Sequence, residues 1–430
     1  MKKILAAFSI TVFFSCNHKN KKVVDAVFVD SLITHYSGPA SIKNNDAEIK
    51  FWRGRINPAN PGIVNEMKYA GNLTGRFHLT GDIKDVKTSD SILKRIDTLF
   101  NHKEAAPLLS MVSHCILQHR FTEANAYLQS AIAIGIKPYE SYSSLFDVNF
   151  ELGNYTLASQ SLKAIRSEND YGYKFRQSKW EHYNGNFDSA VAAMQKAVLL
   201  SDGNISLQQA ALSNTADLYL HNGKLEQAND LYVKSIRLDA GDLHSIMGLG
   251  WIALVHDKKD SLAEKIFRFV QTKTKSPDPL FKLIFVAQAR GDSSEEKKLS
   301  NEFVNYVSDS SYGNMYNKYL IELYADVLNE PAKAESIAKR ELGNRSTPQT
   351  YAWYAYSLFK NNKSDEAFII FRQHVTGKPL ESLELYWIGK MMKALHKGYD
   401  AKEYLSAAYD NRFDLSPAKI KDLETMKDIK

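Results

Sequence analysis

A small residue returns along this chain at a nearly constant interval. Ala124, Ala158, Ala190, Ala228, Ala263, Ala334, Ala367 and Ala401 mark it, with Glu296 in the same register. The spacings run from 32 to 38 residues and average about 35. A period of that size points to one repeated supersecondary unit, too small to bury its apolar face without stacked neighbours. The unit is clearest from Ser206 to Asp239. There Leu212, Thr215, Ala216 and Tyr219 recur three to four residues apart, which predicts one face of a helix. Asn222-Gly223 ends that helix, because glycine takes the left-handed backbone of a helix C-cap without steric penalty. Leu225, Ala228, Tyr232, Ser235 and Ile236 then share one face of a second helix. Ala228 lets the two helices approach closely, and Tyr232 fills the space one turn further on.

The neighbouring units repeat these details. Gly153, Gly185 and Gly291 stand, like Gly223, five residues before the small residue. Four residues after it come Leu128, Leu162, Met194, Tyr232, Phe267, Phe371 and Leu405, with Ser300 and Ala338 as exceptions. Units end near Pro138, Pro277, Pro379 and Pro417, where the next helix can begin. From roughly Ala105 to Ser416 the pattern resembles the tetratricopeptide repeat family, whose unit has about 34 residues. The best matches surround Gly185, Gly223 and Asn362; the unit at Glu296 is weak, and Asn329-Glu330-Pro331 stands where the next turn glycine would be.

The resemblance implies an all-α fold: a right-handed α-solenoid of about nine to ten helix-turn-helix repeats, with no sheet. It also implies that the first helices line a concave groove in which partner segments dock. Carried over residue by residue, the groove positions are Lys179 and Tyr183, then Asp217 and His221, then Trp251 and Phe285. Tyr356 and Phe359 follow, and Tyr386, Lys390 and Lys393 close the series. Aromatic side chains with a polar end are favoured at interfaces and can also stack on sugars. The same side chains can equally pack against the adjacent repeat.

The N-terminus adds an address. Residues 1–15 read as a signal peptide, with Lys2 and Lys3 ahead of an apolar run from Ile4 to Phe14 that is too short to span a bilayer. Ser15-Cys16 at its end resembles a bacterial lipobox, although Phe13 and Phe14 are bulkier than the strictest form. That resemblance implies cleavage before Cys16 and acylation of its thiol and new amino group. Residues 16–45 read as a flexible tether, basic at Lys19, Lys21 and Lys22. It lacks an acidic export signal after the cysteine, so the expected place is the outer membrane, facing the periplasm. Residues 46–103 read as a divergent capping repeat with Trp52 plugging its open end, 104–415 as the solenoid, and 416–430 as a polar closing helix or tail.

Little points to chemistry. The net charge of +6 is too small and too dispersed to argue for nucleic acid. With Cys16 acylated, Cys115 has no disulfide partner and reads as a buried, inert thiol. His114 and His119 fall on different faces of one helix, and no phosphate loop, nucleophile elbow or HExxH motif occurs. No cofactor, metal or catalytic residue is expected. The sequence favours a membrane-tethered scaffold that binds a protein or peptide segment in the cell envelope. The alternatives are a glycan- or nutrient-binding outer-membrane lipoprotein, against which the even repeat spacing leaves no room for large insertions, and a non-catalytic subunit of an envelope enzyme.

Overall fold

The computed structural model describes residues 22–57, 59, 62–395 and 401–426. The signal peptide and Cys16 lie outside the described residues. Among those described, all regular structure is helical. Two helices come first, α1 (Ala26–Thr34) and α2 (Ile42–Arg53). The first pairs are α3/α4 (Ile63–Thr80, Ile83–Leu99), α5/α6 (Ala105–Leu117, Phe121–Ile134) and α7/α8 (Pro138–Leu152, Tyr155–Ala164). Then come α9/α10 (Tyr171–Tyr183, Phe187–Leu200), α11/α12 (Ile205–His221, Leu225–Leu238), α13/α14 (Leu243–Val255, Asp260–Gln271) and α15/α16 (Asp278–Arg290, Ser293–Tyr306). The last are α17/α18 (Asn317–Glu322, Pro331–Asn344), α19/α20 (Pro348–Lys360, Ser364–Ile370) and α21/α22 (Ser382–Leu395, Ala401–Asp410). A π-turn, Leu323–Val327, extends α17, another, Phe371–Val375, extends α20, and α23 (Pro417–Thr425) closes the chain. These ten pairs stack in sequence order.

The repeat register holds in detail. In the eight units from Ala124 to Ala367, the aligned residue is the fourth of its second helix. The seven alanines among them are fully buried. Val86 occupies the same position in the first pair, so the divergent cap keeps the register. Glu296 departs from it chemically: its half-buried carboxyl accepts a hydrogen bond from Gln288 at 2.8 Å, and burial raises its pKa. Gly223 takes the left-handed backbone at φ +68°. Where the turn lacks glycine, His119, Lys258, Asn329 and Asn362 adopt that backbone instead.

Two sequence expectations change. Trp52 is not a core plug; it is half-exposed, bonding Glu48 at 2.6 Å and meeting Phe51 edge-on. Part of the span read as a tether is folded. The buried Asp257 accepts the backbone N–H groups of Val23 and Val24 at 3.0 Å each, Val24 and Val29 are buried, and Tyr36 packs edge-on against Phe269. Residues 22–41 therefore form a strap over α12 to α14. The closing segment is a docked helix, described below.

Cys115 is fully buried, and burial pushes its thiol up to about 12. Its thiolate is scarce at pH 8, so iodoacetamide should leave the Cys115 peptide unmodified in the folded protein and alkylate it in urea. Alkylation under native conditions, read by peptide mass, would contradict this burial.

Candidate functional site

The solenoid coils until its successive turns touch. The turn inside each early pair meets the connector that follows the pair five places on. The turn at Thr80 accepts the Lys275 N–H at 2.7 Å. Gln118 accepts the Asn314 N–H at 2.9 Å and donates from its side chain to the Ser311 carbonyl at 2.6 Å. A side chain at Gly153 would press on Ser346 and Thr347. His221, at the turn of the fifth pair, meets Asp414, just after the tenth, at 2.6 Å. The concave faces of the first helices are thereby wrapped into an interior.

That interior holds the chain's own C-terminal segment, 411–425. Trp251 Nε1 donates to the Phe413 carbonyl at 2.7 Å. The Phe413 ring sits 3.6 Å from where a Gly223 side chain would begin. Ser382 donates to the Asn411 carbonyl and to Asp414, both at 3.0 Å. Further on, the buried Lys419 ammonium lies 2.7 Å from Glu322 and 3.3 Å from Asp326. Asp422 accepts from Tyr386 at 2.8 Å and pairs with Lys390 at 2.9 Å. Leu415, Ile420 and Leu423 are buried beneath these contacts. Four first helices, with the π-turn after α17, thus grip a single short segment.

The groove positions carried over from sequence fall into three groups. Asp217, His221, Trp251, Phe285, Tyr356, Tyr386 and Lys390 line the interior beside the C-terminal segment. Asp217 bonds Tyr232 at 2.5 Å and His244 at 2.9 Å. Phe285 is buried against Phe281 and Trp251, and Lys282 places its ammonium 3.7 Å from the centre of the Trp251 ring. Burial lowers the Lys282 pKa to about 8. Tyr356 stacks on Trp387 at 4.8 Å and donates to Asp326 at 2.7 Å, with Phe359 half-buried 6.3 Å away. Lys179 and Tyr183 belong to a second cluster. Lys179 pairs with Glu151 at 2.5 Å over the Phe150 ring, Arg345 reaches Glu151 from the next coil at 3.3 Å, and Tyr183 stacks on Tyr155 at 4.2 Å. Lys393 is exposed on α21. Glu322, Asp326 and Lys419 were not singled out from sequence. The carboxylates sit on a first helix and its π extension, as groove positions do, but nothing local in the sequence pairs them with a lysine almost a hundred residues away.

The His221–Asp414 pair sets a pH dependence. Burial disfavours a charged His221 ring, but Asp414, supported by Asp217 and Glu381, outweighs it and raises the pKa to about 9. The folded value lies above the unfolded value of about 6.5. The stabilisation is therefore complete below about pH 6.5 and is lost as pH rises through about 9. His221→Gln should lower Tm relative to the parent at pH 6, and the gap should close by about pH 10. A gap of constant size across that range would contradict the assignment.

Among the described residues, no three His, Cys, Asp or Glu side chains are grouped to hold an ion. His114 is committed to Asp90 at 2.6 Å and Thr74 at 2.7 Å, while His119 stacks on Phe121.

No protein-family model matches the chain, and no curated protein is similar to it. Solved structures of helical-repeat proteins are similar at low identity. The apo quorum sensor NprR from B. thuringiensis is 11% identical with a TM-score of 0.42, covering 86% of this chain and 99% of that one. The Cut9–Hcn1 hetero-tetramer of APC/C gives 13% and 0.45, over 88% and 66%. A tetratricopeptide repeat protein from Parabacteroides merdae gives 16% and 0.33, over 66% and 97%. These likenesses are too distant to assign a function.

Proposed function

We propose that this chain is a lipid-tethered scaffold of the bacterial cell envelope whose solenoid holds a protein segment along its concave side. One observation carries the reading: the inner faces already hold a peptide segment, 411–425, through directed hydrogen bonds and ion pairs from four first helices. The polar side chains that converge there are paired with one another or with the segment, as a recognition surface requires. A sugar-binding role is less well supported, because Trp251, Phe285 and Tyr356 are buried against this chain and present no open ring face.

The tether reading rests on the sequence at Cys16. Among the described residues no helix is long and apolar enough to cross a membrane. An acylated Cys16 would supply the anchor, since several chains at about 0.8 kcal/mol per buried methylene hold firmly. The strap shortens the leash. Five residues separate Cys16 from Lys22, a reach of about 20 Å at full extension. The rim near Asp257 would then be held close to the bilayer.

Cys16→Ser should move the protein from the membrane to the soluble fraction. Unchanged membrane fractionation would overturn the anchor. Crosslinking of the native protein in its envelope, followed by mass spectrometry, should recover one dominant protein partner. Recovery of an oligosaccharide or small metabolite in its place would overturn the scaffold.

A further inference from the structure

The C-terminal segment is held unlike any other part of the chain. The helices from α3 to α22 each pack as one member of a helix pair, whereas α23 lies against α13, α15 and α22 at once. It is nine residues long, too short to be stable alone, so its helix exists only because the interior receives it. Its contacts are side-chain-specific and alternate in sign. Asp414 meets His221, Lys419 meets Glu322 and Asp326, and Asp422 meets Tyr386 and Lys390. Ion pairs of this kind fix register and selectivity more than they add stability, because desolvation offsets much of their attraction. Apolar residues between them, Leu415, Ile420 and Leu423, supply the burial. Such an arrangement matches a peptide in a binding groove better than it matches a capping helix.

We propose that the interior between α11 and α21 is a peptide channel in which residues 411–425 are the resident, exchangeable ligand. Its external partner is a protein segment of the same chemistry: an aromatic-acidic turn followed by a short helix that carries one buried basic residue between apolar ones. The basic residue is the discriminating element. It must enter the site made by the buried Glu322 and by Asp326, two carboxylates that have Lys419 in common. The segment enters from the C-terminal mouth, since the earlier turns are sealed against the next coil. This deepens the scaffold reading and rests on it for the existence of an outside partner, but the channel's chemistry is testable on the purified protein alone.

The experiment keeps the full chain. A protease site is inserted between Asp410 and Asn411, the protein is folded intact, and the site is then cut. A labelled synthetic peptide of residues 411–430 is added and followed by fluorescence anisotropy. Cut protein should take up the peptide, and uncut protein should take up at least tenfold less. A peptide carrying Lys419→Glu should bind at least tenfold more weakly than the parent, while Lys419→Arg should bind within a few-fold of it. Three outcomes would overturn the proposal: no uptake by cut protein whose helical circular dichroism is unchanged, equal uptake of the Lys419→Glu peptide, or uncut protein forming dimers that Lys419→Glu in the chain abolishes. The last would make a second copy of this chain the occupant. Failure of the anchor test at Cys16 leaves these results untouched, so the two readings fall separately.

Discussion

Lys419→Ala should release the C-terminal segment while leaving the helix pairs folded. The Lys419 side chain is 8% exposed and Glu322 is 6% exposed, so their pairing takes place largely out of water. Removing one partner of such a pair typically costs about 3–5 kcal/mol, because the remaining charge stays buried without compensation. Here the protein has a way out. If α23 leaves, water reaches Glu322 and Asp326. What holds α23 otherwise is chiefly Ile420 and Leu423, worth roughly 1.5–3 kcal/mol each when fully buried. The two quantities are comparable, so the segment lets go before the solenoid unfolds. Limited trypsin digestion should cut after Arg412 and Lys421 at least tenfold faster than in the parent, with the remainder intact. Lys419→Met, which keeps most of the apolar stem, should behave like the alanine variant, and Lys419→Arg should resemble the parent. Cleavage at the parental rate in Lys419→Ala would contradict the buried pairing.

Trp387→Ala should give the largest loss of stability of any single truncation in the C-terminal pairs. Trp387 is fully buried and is the largest side chain so enclosed. It stacks on Tyr356 with rings nearly parallel at 7°, and its Nε1 donates to Asp326 at 3.2 Å. Deleting a buried indole removes apolar burial and leaves a cavity, for about 3–5 kcal/mol. Asp326 also loses one of its donors, which weakens the carboxylate that receives Lys419. In a stacked array, stability is a sum of local and nearest-neighbour contributions, so the loss should concentrate in α19 to α22 rather than spread along the chain. Urea unfolding followed by circular dichroism should show a new early transition. Trp387→Phe keeps the ring stack and should lose less. A change below about 1 kcal/mol for the alanine variant would mean that the site collapses to fill the space.

The fold was legible because its determinants are local. A small residue at the fourth position of each second helix, and a turn that accepts left-handed backbone, repeat within windows of about 35 residues. Val86 shows that the rule reaches even the divergent first pair, where the sequence suggested only a cap. Trp52 misled because a tryptophan near a terminus looks like a plug, yet Glu48 one helical turn away satisfies its N–H at the surface. The strap misled for a different reason. Its polar composition suits a tether, and what folds it is Asp257, more than 230 residues distant.

The concave positions were legible as positions but not as an occupied site. The repeat pattern places Trp251, Tyr386 and Lys390 on inner faces and says nothing of what they face. What they face depends on how far the solenoid coils, and that follows from many small rotations between pairs. The segment 416–430 carries four lysines and reads as solvated for that reason. Only the coil brings Glu322 and Asp326 to Lys419 and turns a surface charge into a buried one.

The most direct test of an interior filled by the C-terminal segment is amide hydrogen exchange on the intact, unmodified chain. Amides of α23 from Ile420 to Thr425 should be protected to a degree comparable with those of α13 and α15, which flank it. Exchange of those amides within seconds, with α13 and α15 still protected, would show the segment free in solution and the interior empty of it.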